Sequence, residues 1–196
     1  MIGREHLLTA LSDNVEVAQG LFRLLLDRPQ ARRWRIVHPP DAPGEPAVAV
    51  AVPMSAADRM RLLRRTPLFS HALVTQLLEL AAVARDMVVS PGMVLSDASD
   101  EPAIIHVIAG ELLLERGGTE PLVAGPGATV GMCETLAGEP FNCRVVARSE
   151  GLVVRLDRTA LFDVAADHVG VLQGLFSALL QADDHDAPAT PVRVVS

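Results

Sequence analysis

The sequence predicts a mainly β fold, a small barrel or jelly roll of short strands with helices at both ends. Between residues 87 and 156, short apolar runs alternate with glycine and proline turns, a pattern typical of many closely spaced strands. Helical periodicity precedes this region from Ser55 and returns after Asp157. With 196 residues, 49% of them hydrophobic, the chain is long enough for one domain with a sizeable core and some additional segments.

The helices before the strands begin at Ser55, whose hydroxyl is a favourable N-cap, and are divided in two by Pro67. Seven apolar runs then predict strands, and Gly and Pro residues such as the pair Pro91-Gly92 mark the turns between them. These runs are Met87–Val89, Met93–Leu95, Ile104–Ile108, Leu112–Glu115, Pro121–Val123, Asn142–Val146 and Leu152–Leu156. After them, Asp157 to Leu180 predicts closing helices, and the last helix carries a broad apolar stripe from Val171 to Leu180.

An internal repeat relates the two ends of the chain. Residues 3–26 align without gaps on 157–180, and 11 of the 24 aligned pairs are identical. A shared Gln-Gly-Leu-Phe at one register indicates a true repeat rather than two similar amphipathic helices. The identical pairs are Arg4/Arg158, Leu7/Leu161, Asp13/Asp167, Val15/Val169, Val17/Val171, Gln19/Gln173, Gly20/Gly174, Leu21/Leu175, Phe22/Phe176, Leu25/Leu179 and Leu26/Leu180.

The repeat predicts the domain organisation. We interpret residues 1–26 as the terminal helices of a preceding, similar domain, and 56–182 as the domain that the second copy closes. Residues 27–55 hold six prolines and are predicted to form a linker, while Ala47 to Val52 has the alternation of a short strand and 183–196 forms a flexible tail. The chain would then belong to a larger tandem protein whose other domains are its partners. The Val17, Leu21, Leu24 and Leu25 face of the first copy is expected to dock on this domain or on a second molecule.

Charge and composition argue against several classes of partner. The 24 acidic residues exceed the 17 basic ones, giving a formal charge of −7, and the chain has one Trp and no Tyr, so a nucleic acid partner is not expected. No run reaches about 18 apolar residues, which argues against direct membrane insertion. Two cysteines and the lack of a leader favour a cytoplasmic protein.

Catalytic and metal-binding patterns are absent from the sequence. The six histidines show neither H-x-H nor H-E-x-x-H spacing, and no serine stands in a G-x-S-x-G elbow. The acidic residues show no arrangement that indicates general acid/base catalysis. The sequence therefore predicts no enzyme, and no metal site.

Several segments, in order, resemble the cyclic nucleotide-binding domain family over about 120 residues, from Leu63 to Leu180. They are LLRRTPLFS, SPGMVL, VIAGELLLE, GPGATVG, GMCETLAGEPFNCRVVA and LDRTALFDV. The resemblance implies an eight-stranded β-roll with N-terminal helices and two C-terminal helices. It also implies that the last helix either covers a ligand or pairs with a partner helix, so that a homodimer through this helix is one expectation and simple packing on its own roll is the other.

The resemblance places a phosphate-binding cassette at the fifth segment. In the family, a glutamate after the opening glycine binds the ribose, and an arginine ten residues after that glycine binds the cyclic phosphate. Here the glycine is Gly131, but Met132 stands at the glutamate position and Phe141 at the arginine position. Both departures predict a degenerate, more apolar site with Phe141 folded into the vacated space and negligible cyclic AMP binding.

The candidate ligand-binding residues all belong to this cassette, and a cyclic nucleotide is the candidate small-molecule ligand. Arg144 is an alternative phosphate anchor, Asn142 is either a base or ribose contact or a solvent-facing residue, and the two cysteines are either core residues or a redox pair. The set is Gly131, Met132, Cys133, Phe141, Asn142, Cys143 and Arg144. The expected function is a regulatory or sensory domain with a degenerate cassette; the alternative is an interaction or oligomerisation module without a ligand.

Overall fold

The two β-sheets of the protein are seen in a computed structural model, which describes residues 15–26, 36–37, 53–69, 72–97, 99–118, 120–141, 143–168 and 170–176. The described residues include nine strands: β1 Ile36–Val37, β2 Arg85–Val89, β3 Val94–Ser96, β4 Ala103–Ala109, β5 Leu112–Glu115, β6 Leu122–Ala124, β7 Thr129–Val130, β8 Arg144–Ala147 and β9 Gly151–Asp157. One antiparallel sheet has the order β1-β7-β4-β9-β2 and the other the order β3-β8-β5-β6.

The helices flank these sheets on both sides in sequence. They are α1 Val15–Leu26, α2 Ala56–Arg65, α3 Val74–Val83, α4 Met132–Ala137 and α5 Arg158–Asp167, followed by a helical segment over 170–176 that we call α6. The mainly β fold with flanking helices is confirmed, and so are the eight strands of the expected roll, β2 to β9.

The predicted start of the helices before the roll is confirmed in detail. The Ser55 hydroxyl accepts a hydrogen bond from the Asp58 backbone N–H at 3.1 Å, which satisfies one of the unpaired donors at the beginning of α2. At Pro67 the chain leaves the α-helix and forms a short 3-10 turn, Pro67–Phe69, before α3 begins. An ion pair between Arg59 and Asp86, with 2.5 Å between Nη1 and Oδ1, then joins α2 to β2.

The strand predictions are confirmed to within two residues at each end, and two strands are additional. β7 and β1 have only two residues each, and they pair with one another through Ile36 opposite Val130. β1 lies inside residues 27–55, the segment predicted to be a linker. Two residues of that segment therefore form an edge strand of the larger sheet. The alternating segment Ala47 to Val52 lies outside the described residues.

Two separate apolar clusters hold the fold together. The interior cluster lies between the two sheets and includes Ile105, Val107 and Val153 from the larger sheet and Leu112 and Val145 from the smaller. The helical cluster lies on the outer face of the larger sheet, where Ile104, Val154 and Leu156 meet the helices. Strand alternation explains the division, because neighbouring residues of β4 and β9 point to opposite faces.

The closing helices confirm the predicted pair at the end of the domain. Val171, Leu172, Leu175 and Phe176 of α6 are at most 5% exposed, so the described part of the predicted stripe packs into the helical cluster. Leu179 and Leu180 lie outside the described residues.

The first repeat copy docks on this same domain through α1. Ala18 and Phe22 of α1 are fully buried in the helical cluster, and α1 packs against both α4 and α5. The face predicted for this contact is wrong at two positions, because Leu24 is 69% exposed and Val17 46% exposed. Leu21 is partly buried in the helical cluster, and the side chain of Leu25 lies outside the described residues. The amphipathic pattern of a helix with apolar residues on several sides does not determine which side meets its partner, and here the aromatic contact of Phe22 determines it.

Candidate functional site

The cassette begins where β7 leads into α4 through Gly131. This residue has a φ of 80°, in the left-handed region, and is the N-cap of α4. A Cβ at Gly131 would overlap the carbonyl oxygen of Ala103 on β4 and the ring Cζ of Phe141. The position therefore requires glycine for two independent reasons, its backbone conformation and the close approach of a strand and a ring.

The cassette helix α4 is short and closed at both ends by hydrogen bonds. The Thr135 hydroxyl donates to the carbonyl oxygen of Gly131 at 2.6 Å, and the Thr135 backbone N–H donates to the same oxygen at 2.9 Å. At the other end Gly138 adopts a φ of 69° and its N–H bonds to the carbonyl of Glu134. These contacts define the two ends of the helix at Gly131 and Gly138.

Phe141 is turned into the interior of the roll, as the sequence predicts. It is 2% exposed and belongs to the interior cluster, with Val89, Leu95, Ile105 and Val145 among its members. Two partly buried residues, Met87 and Cys143, pack against this cluster. The predicted arginine position is therefore occupied by a ring that packs among apolar side chains.

Met132, at the glutamate position, lies in a different environment. It is 1% exposed and packs in the helical cluster, with Leu136 of the same helix. The two departures from the family pattern are therefore separated: Phe141 fills the interior between the sheets, and Met132 joins α4 to the helices. A carboxylate at Met132 would enter an apolar cluster, where its desolvation is costly.

The other candidate residues are spread around the end of the cassette. Cys133 and Cys143 are both half-buried, and Cys143 packs against the interior cluster. Asn142 lies outside the described residues, so both expectations for it stay predictions. The structure thus brings Gly131, Phe141 and Cys143 close to the interior cluster.

Arg144 lies on the surface at the start of β8, away from the interior. Its side chain is 54% exposed and its Nη1 is 3.3 Å from Oε2 of Glu115 on β5. The next residue, Val145, points the other way and is fully buried. Arg144 also contributes to the lowered pKa of Asp97, whose largest cause is the hydrogen bond from the Ser99 hydroxyl. Arg144 therefore lies on the solvent-facing side of β8, whereas Phe141 lies in the interior, and its role as an alternative phosphate anchor stays a prediction.

Two arginines that the sequence analysis did not select lie at the C-terminal end of the cassette helix. Arg23 of α1 donates from Nε to the carbonyl oxygen of Ala137 at 2.7 Å. The guanidinium of Arg158 lies beside Gly138 and 4.7 Å from the ring centroid of Phe162. Burial lowers the pKa of Arg158, and the nearby charge of Arg23 lowers it further. No local signal could have revealed the Arg23 contact, because it joins residues 114 positions apart.

The described part of the chain contains neither a membrane-spanning helix nor a metal-binding cluster. No helix there is long and apolar enough to span a bilayer. Within the same residues, no group of three or more His, Cys, Asp or Glu side chains is arranged to hold a metal ion.

Solved structures similar to this chain share its arrangement of roll and helices. The sensor domain of the transcriptional regulator DNR from Pseudomonas aeruginosa matches 69% of this chain and 99% of its own, with 18% identity and a TM-score of 0.54. The N-terminal domain of a transcriptional regulator from Streptomyces coelicolor A3(2) matches 66% of this chain and 99% of its own, with 24% identity and a TM-score of 0.55. The regulatory domain of Toxoplasma gondii PKA, in a co-crystal structure with cAMP, matches 66% of this chain and 50% of its own, with 16% identity and a TM-score of 0.52.

The chain has the fold of a cyclic nucleotide-binding domain. Its resemblance to that family, drawn from six short segments, is confirmed at the level of the fold. No protein-family model matches the sequence, and no curated protein matches it either. Because these structures are at most 24% identical to this chain, the similarity establishes the cyclic nucleotide-binding fold alone. It does not establish that this chain binds the same ligands.

Proposed function

We propose that this chain is a regulatory domain with the cyclic nucleotide-binding fold whose cassette no longer holds a cyclic phosphate. One observation carries the proposal: Phe141, at the position of the phosphate-binding arginine, is buried in the interior cluster with its ring against Gly131. The Phe141 ring packs in the interior of the roll, and it has no positive charge with which to bind a phosphate.

Electrostatics supports the same conclusion. A charge-assisted hydrogen bond to phosphate contributes about 1.5–3 kcal/mol, so its loss alone weakens binding by roughly one to two powers of ten. A phosphate that entered the apolar interior would also lose its hydration without gaining a matching charge. The exposed Arg144, paired with Glu115, does not replace that charge.

The regulatory role rests on the neighbours, which are sensor and regulator domains by description. We further propose that the domain acts inside a larger tandem protein, with 1–26 derived from a preceding domain, 27–55 as connection, 56–182 as the domain and 183–196 as tail. No catalytic role is proposed. The cytoplasmic location and the lack of a nucleic acid partner stay predictions.

A second candidate function, an interaction module without any ligand, is favoured by the docking of α1. The burial of Phe22 of α1 against the closing helices supports this alternative, because it is a helix-on-helix contact. In this alternative the roll is a rigid support and the closing helices are the functional part. The two candidates differ in whether any small molecule changes the domain.

Thermal unfolding in the presence of cyclic AMP tests the proposal, because a ligand that binds only the folded state raises the Tm by mass action. We expect no shift for the unmodified chain at ligand concentrations up to about 1 mM, where a Kd of 10 μM would add about 2.7 kcal/mol. Phe141→Arg returns the arginine, and Phe141→Leu is the matched control that removes the ring without adding charge. A Tm increase in the unmodified chain that grows with the concentration of cyclic AMP would contradict the proposal.

A further inference from the structure

The two copies of the internal repeat contact one another in the folded chain. Phe22 of α1 stacks on Phe176 of α6 with ring centroids 4.1 Å apart and an angle of 8° between the ring planes. These two residues occupy equivalent positions of the repeat, 154 residues apart. A contact between equivalent residues of two related segments is the arrangement found at a two-fold axis.

The same side of each copy is used in this contact. Ala18 and Phe22 are fully buried in α1, and their equivalents Leu172 and Phe176 are 1% and 5% exposed. Leu21 is partly buried in the same cluster as its equivalent Leu175. At these three positions both copies turn the same side into the cluster, whereas Val17 is 46% exposed and its equivalent Val171 is 1% exposed.

We propose that α1 takes the place of the closing helix of a second copy of this chain, and thereby blocks a two-fold homodimer through α6. In that dimer, the Phe176 rings of the two subunits would stack as Phe22 and Phe176 do here. The occupant of the surface is identified by the chain itself, since the segment seated there is a copy of the segment that would replace it. This dimer would form through the helices alone, and it does not depend on whether the cassette binds a ligand.

The intramolecular arrangement has two advantages over the dimer. Arg23 donates from Nε to the carbonyl oxygen of Ala137 at 2.7 Å, and the equivalent residue of the second copy is Ser177, whose short side chain carries no guanidinium. A segment of the same chain also binds without the loss of translational and rotational freedom that the association of two chains costs. The dimer is therefore expected only when α1 is displaced.

Sedimentation velocity of the full-length chain over a concentration series tests the proposal. Ala18→Asp combined with Phe22→Asp places two carboxylates on the docked side of α1 and leaves α6 unchanged. We expect a monomer for the unmodified chain and a concentration-dependent dimer for this variant. Leu24→Asp, at a position that is 69% exposed on the same helix, is the matched control and stays monomeric.

Two further variants make the result specific. Adding Phe176→Asp to the double variant removes the contact on α6 and should abolish the dimer, and a synthetic peptide of residues 3–26 should dissociate it. If the double variant does not keep the circular dichroism of the folded chain, the milder Phe22→Ala and Arg23→Ser changes together give the same readout. A folded, undocked chain that stays monomeric at every concentration overturns the proposal, and so does a dimer that persists with Phe176→Asp.

Discussion

Truncating Phe141 to alanine should destabilise the domain far more than an ordinary surface change. The ring is 2% exposed inside the interior cluster, and its neighbour Gly131 is held between β4 and α4, so the vacated space has little means of closing. Replacing a buried phenylalanine with alanine costs about 3–5 kcal/mol when the cavity stays open. Since a domain of this kind has a total stability of about 5–15 kcal/mol, the change removes a large share of it.

Urea denaturation followed by circular dichroism measures this loss. With a typical slope of about 2 kcal/mol per M of urea, the midpoint for Phe141→Ala should fall by about 2 M without a change of slope. Leu24→Ala, at a position 69% exposed on α1, is the control and should change the free energy of unfolding by no more than about 0.5 kcal/mol. Benzene, which enters dry apolar cavities, should partly restore the variant and leave the control unaffected.

The urea unfolding of Phe141→Ala also tests whether the Phe141 ring fills the interior of the roll. A loss below about 1 kcal/mol for Phe141→Ala would show that the ring does not fill the interior, because no buried phenylalanine with an open cavity loses so little. The reasoning from Phe141 to a blocked cassette would then be refuted, whatever the ligand data show.

Two further predictions follow from single positions. Gly131→Ala should destabilise the domain by at least about 1 kcal/mol more than Gly92→Ala in urea unfolding, because both have a φ near 80° but only the first Cβ meets other atoms; equal losses would contradict the close approach. Burial lowers the pKa of His106 to about 4, from 6.5 when unfolded, with its Nδ1 2.9 Å from the Thr129 hydroxyl. The unfolded chain therefore binds the extra proton, so this contribution is intact above pH 6.5 and is lost as the pH falls towards 4, by about 3 kcal/mol in total. The pH dependence of urea unfolding should be shallower over this range in His106→Gln, and an unchanged slope would contradict the burial of a neutral ring.

The local part of the fold could be predicted from the sequence because each signal has a local physical cause. Ser55 marks the start of α2, because its hydroxyl accepts a hydrogen bond from a residue three positions away. The strand Leu112–Glu115 has the same bounds in the sequence prediction and in the structure. The two-residue strand Thr129–Val130 was not predicted, since it is too short to show alternation and directly follows a glycine and proline turn. Its pairing with Ile36 joins residues 94 positions apart and has no local signature.

The burial of Phe141 was predictable from the sequence, whereas the surroundings of Met132 were not. Comparison with the family motif places Phe141 at the arginine position, and its inward direction follows from the apolar character of the space it enters. The different location of Met132 follows instead from the direction of the first turn of α4, which the sequence does not specify. The docked side of α1 depends on Phe176 and Phe162, which lie more than 130 residues away, so the apolar pattern of α1 pointed to the wrong side.

Isothermal titration calorimetry of the unmodified chain with cyclic AMP tests the central claim most directly. The account predicts no binding heat up to millimolar ligand, because an apolar ring stands where the phosphate requires a positive charge. A titration with cyclic GMP, run in the same way, should give the same result. Saturable binding at micromolar concentration or tighter would contradict the account and would show that the phosphate is held by groups other than residue 141.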